Sequence, residues 1–99
     1  MIRHIYVAKV RDDITDERIE ELLAAWRTLP GSISEIRSFT TGRNIHPTDR
    51  RFTVAVVADF EDTEAWKRWM AHPAHLKVMK EYSEKILDLD SRRTVQIEI

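Results

Sequence analysis

The sequence predicts an α+β fold in the order β-α-β-β-α-β, with a four-stranded antiparallel sheet carrying its helices on one face. Residues 2–10, 36–41, 52–60 and 94–99 alternate in polarity with the two-residue period of a strand. Residues 15–30 and 62–86 instead place apolar side chains three and four apart, as an amphipathic helix does. The way these stretches interleave matches a recurring arrangement in which both helices pack on the same side of the sheet.

In the first strand Ile2, His4, Tyr6, Ala8 and Val10 share one face, and Arg3, Ile5, Val7 and Lys9 the other. Thr15 is placed to cap the first helix, with Asp16 and Glu17 complementing its positive end and Ile14 stapled against Ile19. Ile19, Leu22, Leu23 and Trp26 form its buried stripe, and Pro30-Gly31 is expected to end it. Residues 36–41 form a weaker strand, followed by the polar loop GRNIHPTDRR. The next strand, residues 52–60, sets Phe52, Val54, Val56, Ala58 and Phe60 against Thr53, Ala55, Val57 and Asp59.

Asp62 can cap the second helix, whose apolar face holds Ala65, Trp66, Trp69 and Met70. Pro73 disfavours helical geometry at His72, so the helix stops there and a second segment starts, with His72 as hinge or cap. Counting on at 100° per residue puts His75, Val78, Met79, Tyr82 and Ile86 on one inward stripe. Residues 87–93 mix charges with a turn, and the last strand alternates Val95, Ile97 and Ile99 with Thr94, Gln96 and Glu98.

At 99 residues, 42% hydrophobic and 33% charged, the chain suits one domain near the lower limit for a self-sufficient core. Its 16 basic and 17 acidic residues are interspersed, leaving no basic footprint for nucleic acid. The absence of cysteine excludes disulfides, thiolate metal sites and cysteine nucleophiles. The opening MIRHIYVAKVRDD is too broken by charge for a secretory signal, and no apolar run reaches membrane-spanning length, so a cytoplasmic protein without a membrane partner is expected. Ile5, Val7, Ala55 and Val57 lie on the sheet face opposite the helices. A second copy, sheet against sheet, is the simplest cover for them. Shielding by strand twist and long side chains in a monomer is the alternative.

Three segments carry a family resemblance: IRHIYVAKV at the start, IRSFTTGRNI in the middle and HPAH after the broken helix. In these the chain resembles the stress-responsive dimeric α/β-barrel (Dabb) domains over nearly its whole length. The resemblance implies a ferredoxin-like fold, a homodimer forming a dimeric α/β barrel through its sheet faces, and a cavity between sheet and helices. Plant members of that family are associated with stress responses, and a few members are cofactor-free polyketide cyclases. For those cyclases it implies a general-base histidine at the last position of HPAH, His75, with His4 of the first strand in the same cavity. Where they use helix tyrosines and a third-strand histidine, this chain has Trp26, Trp69 and Val54. Indole nitrogen is not a phenolic acid, and valine forms no hydrogen bond. Tyr6 and Tyr82 would have to supply a phenol from other directions.

The expected small-molecule pocket is lined by His4, Tyr6, Trp26, Val54, Trp69, His72, His75 and Tyr82. One reading is a ligand-binding homodimer for an aromatic or polyketide-like molecule, with the tryptophans as pocket wall rather than plain core. The other is a cofactor-independent cyclase or isomerase, with His75 as base and His4 or Tyr6 as its orienting or electrophilic partner. A buried His75 bonded only to a backbone carbonyl or to His4 would have neither role. No cofactor is expected. Pro73 interrupts the pairing of His72 with His75 that a metal would need, and the asparagine, tryptophan and histidine set by which related barrels degrade haem has no match. His46 reads as a solvated loop residue, whereas Arg43, Arg50 and Arg51 either draw an anion to the loop mouth or stand in solvent.

Overall fold

A computed structural model describes residues 1–99 in full. The order of elements is β1 (Ile2–Val10), α1 (Asp16–Arg27), α2 (Leu29–Ser32), β2 (Ser38–Arg43), β3 (Val54–Phe60), α3 (Thr63–Ala71), α4 (Pro73–Val78), a π-helical turn (Met79–Ser83), α5 (Glu84–Ile86) and β4 (Leu87–Glu98). The four strands form one antiparallel sheet in the order β2-β3-β1-β4, which is the expected ferredoxin-like arrangement. No helix is long and apolar enough to cross a membrane.

The helix starts follow from their caps. Thr15 accepts from the Arg18 amide at 3.2 Å, and Asp62 accepts from the Ala65 amide at 2.9 Å. His72 is extended at φ −67°, ψ 136°, and its Nδ1 accepts from the Ala74 amide at 3.0 Å. It therefore ends α3 and caps α4, the hinge role expected of a residue before proline.

Four departures from the sequence reading have local causes. Pro30 and Gly31 lie inside the short helix α2, because proline fits a first helical turn; α1 already stops at Arg27, with Thr28 bonded back to Ala25. β2 begins two residues later than expected, since the fully buried Ile33 anchors a turn through Ile36. The second helix is widened by the π turn, which delays every later residue around the axis. β4 starts at Leu87 but is interrupted: the step from Val7 to Lys9 on β1 faces the step from Arg93 to Asp88, so residues 89–92 bulge out of the ladder.

The core lies between helices and sheet, where Leu22, Leu23, Ile33, Val54, Phe60, Ile86 and Leu87 are fully buried. Each large aliphatic or aromatic side chain so enclosed stabilises the fold by roughly 1.5–3 kcal/mol. On the opposite sheet face Ile5 pairs with Val57 and Val95, Val7 with Ala55, and Arg3 with Ile97. This face has no helix over it, and Val95 and Ile97 remain 53% and 46% exposed. Its end is polar: Arg3 grips Asp59 through two bonds of 2.8 and 2.9 Å, and Ser38 donates to the same carboxylate at 2.7 Å.

Candidate functional site

Strand register sets up a cavity of about 390 Å³ between the sheet and the helices. Two rows of the sheet form its floor. In one, His4 stands between Ala58 and Gln96; in the other, Tyr6 stands between Val56 and Thr94. Trp26 of α1, Trp66, Trp69 and Met70 of α3, and His75 and Val78 of α4 make the roof, with Met79 and Ser83 of the π turn beside them.

His4 is 4% exposed and rests against the rings of Trp66 and Trp69, at centroid distances of 5.9 and 5.6 Å. The Gln96 side-chain amide donates to its Nδ1 at 3.0 Å, which puts the ring proton on Nε2. Burial, and then the neighbouring His75, hold its pKa below the ordinary histidine value. His4 is thus a neutral imidazole whose Nε2–H is a donor.

His75 has the opposite polarity. Its Nδ1 lies 3.2 Å from the Met70 carbonyl, an acceptor only, so Nδ1 carries the proton and Nε2 keeps a free lone pair. Burial lowers its pKa; the Met70 carbonyl opposes that shift and His72 adds to it. Trp69 lies between the two histidines, 4.7 Å from His75 by centroid. The backbone bond that would mark His75 as structural is present, and it fixes the tautomer while the ring still lines the cavity.

Tyr6 meets Trp26 edge to face at 5.9 Å. Burial pushes its phenol up to about 12, against the opposing charge of Arg92, so it serves as a hydrogen-bond donor and not as a phenolate. Trp26 Nε1 donates to Ser83 Oγ at 3.1 Å, a buried link from α1 to the π turn. The indole N–H groups of Trp66 and Trp69 are buried with no acceptor in the chain. Each such group costs about 1–3 kcal/mol, so this wall is assembled against a local penalty.

Of the residues expected at the pocket, the structure brings together His4, Tyr6, Trp26, Trp69 and His75. Val54 is corrected to the core: it pairs across from Ala8, fully buried, and Val56 one row on meets the cavity. Tyr82 is displaced from the wall by the π turn, which gives the inward position to Ser83. His72 is occupied as the cap of α4 and does not line the cavity.

Sequence reasoning missed Arg92 and Leu89, which the β4 bulge brings to the cavity. Their only signal was the turn character of residues 87–93. The loop arginines are engaged elsewhere. Arg43 pairs with Asp16 at 3.0 Å, Arg51 with Asp49 at 2.7 Å, and Arg50 donates to the Asn44 carbonyl at 3.0 Å. His46 organises the same loop, its Nδ1 accepting from the Thr48 and Asp49 amides at 3.1 and 2.9 Å. No group of three or more histidine, aspartate or glutamate side chains converges to hold a metal.

Fold and site together define a ferredoxin-like domain with a half-open, mainly apolar cavity and two neutral histidines of opposite polarity. The chain belongs to the stress responsive A/B barrel domain family, whose model matches residues 2–98. It is 28% identical over 98 residues to the stress-response A/B barrel domain-containing protein HS1 of Arabidopsis thaliana, covering 94% of this chain and 90% of that protein. It is 27% identical over 94 residues to the olivetolic acid cyclase of Cannabis sativa, covering 90% and 93% of the two chains. Among solved structures, a dimeric ferredoxin-like protein of unknown function from Thermobifida fusca superimposes with a TM-score of 0.86 at 26% identity, covering 99% of this chain and 90% of that one.

Proposed function

We propose that this domain is a homodimeric small-molecule-binding protein whose cavity takes an aromatic or polyketide-like ligand, and that His75 gives it a cofactor-independent proton-transfer chemistry. The observation that carries the ligand reading is the enclosure of polar groups in a tryptophan-walled cavity of about 390 Å³, within the usual range for small-molecule sites. The observation that favours chemistry is the polarity of the imidazoles. His75 Nε2 is a free base, and His4 Nε2–H is a donor.

A carbon acid flanked by carbonyls would lose its proton to His75 Nε2, while His4 donates to the carbonyl oxygen that gathers the charge. Returning that proton to another carbon is an isomerisation; attack of the carbanion on a second carbonyl, followed by its protonation, is a cyclisation. Similarity to the olivetolic acid cyclase of Cannabis sativa supports this class of reaction. The tryptophans at the helix positions make its acid partner different, leaving Tyr6 as the phenol in the wall. The uncovered apolar sheet face and the dimeric Thermobifida fusca neighbour support pairing through that face.

Native mass spectrometry of freshly purified protein reads both parts, and a dimer carrying a retained small molecule is the expected result. Monomers without ligand at micromolar concentration would overturn the proposal. With linear poly-β-carbonyl substrates, His75→Ala should lower turnover by roughly 10²–10⁴-fold, the usual contribution of a general base, with an unchanged circular dichroism spectrum. Full activity in that variant would remove His75 from the chemistry and leave binding alone.

A further inference from the structure

The cavity is apolar over most of its wall, yet its charged component is one-sided. Arg92 lines it, and no aspartate or glutamate does. The placement of Arg92 is built into β4. Residues 89–92 leave the ladder, and the bulge is held by Lys9 N–H donating to Ser91 Oγ at 2.8 Å and Ser91 Oγ donating to the Asp88 carbonyl at 2.6 Å. Arg92, exposed at the rim of the cavity, fastens the bulge, its Nε donating to the Leu89 carbonyl at 2.8 Å. Its terminal nitrogens form no ion pair, although eight other cation–carboxylate pairs occur in the chain. The nearby acids Asp88 and Asp90 face a separate depression with Lys9, Arg11 and Asp12.

Position along the sheet gives the site a direction. The His4–Gln96 row lies at one end, the Tyr6–Thr94 row follows, and Arg92 comes beyond it on the same strand. At 3.3 Å per residue, the two rows lie roughly 7 Å apart, and Arg92 stands past the second of them. The charge of Arg92 already acts on the Tyr6 hydroxyl. We infer that the ligand is an amphiphilic anion, with an apolar body between the tryptophans and a carboxylate or comparable anionic group at Arg92, its reactive or neutral end reaching the histidines. Arg92 is then the residue that sets specificity. A guanidinium suits a carboxylate because its N–H groups form a planar fork.

The inference rests on the cavity being a ligand site, and the test separates the two. Calorimetric titrations with 4-hexylbenzoate and its neutral isostere 4-hexylbenzamide are run on the wild-type protein and on Arg92→Gln. The benzoate is expected to bind the wild type at least about ten-fold more tightly than the amide, and Arg92→Gln to erase that preference while leaving the amide affinity within about two-fold. Retained amide binding also shows that the variant is folded. Equal affinities in the wild type, or a preference that survives Arg92→Gln, would overturn the assignment of Arg92 and leave the cavity reading standing. Binding of neither compound would overturn both.

Discussion

At His4 and His75, enclosure acts on the proton before any ligand arrives. Both pKa values are depressed, chiefly by burial, so the fold favours the neutral rings and the unfolded chain binds protons more readily. The stability they contribute is complete above the ordinary histidine value of about 6.5 and is lost as pH falls through the lower folded values. Chemical denaturation between pH 7.5 and 5 should show stability falling with acidity, and His4→Gln should flatten that slope; a slope unchanged in the variant would show that other groups set it. The same depression keeps His75 basic below pH 6.5, so a pH–rate profile for proton transfer should hold its plateau into mildly acidic solution. Alternation in the sequence revealed which residues face the helices, His4 and Tyr6 among them. It did not reveal register: Val54, expected in the wall from the family resemblance, pairs with Ala8, and Val56, paired with Tyr6, takes the place at the cavity.

At the scale of elements, the strands and the break at His72-Pro73 were legible because alternation, proline and caps are local signals. The π turn was not. MKEYS contains neither glycine nor proline, and the contact that accompanies its widening, Trp26 of α1 bonded to Ser83, joins residues far apart in the chain. Ser83→Ala leaves that buried indole N–H without a partner and should destabilise the domain by about 1–3 kcal/mol, measured by urea denaturation. A loss below 0.5 kcal/mol would mean that the indole finds another acceptor. The β4 bulge was half legible. Charged and turn-forming residues in 87–93 marked an interruption, but its direction depends on Ser91 reaching the backbone of Lys9 across the sheet.

For the whole molecule, the question is what covers the second face of the sheet. Ile5, Val7, Val57, Val95 and Ile97 leave it apolar, and the Arg3–Asp59–Ser38 cluster neutralises charge along one end. Val95 is more than half exposed, so Val95→Arg should cost the isolated subunit little and should disrupt the proposed dimer by placing an unpaired charge in its interface. Size-exclusion chromatography should show the variant eluting as a folded monomer. Persistence of a dimer of unchanged affinity would locate the contact elsewhere. Strand alternation disclosed the centre of this face, Ile5, Val7, Ala55 and Val57, because it records both sides of a sheet; that Val95 and Ile97 join it depends on their pairing with Ile5 and Arg3 at the other end of the chain.

The chain has three tryptophans, and Trp26, Trp66 and Trp69 all stand in the wall of one chamber. Tryptophan emission, excited where tyrosine does not absorb, therefore reports on that chamber, with no fully exposed indole to add background. Occupancy, solvent entry and loosening of the roof become optically visible without any attached dye.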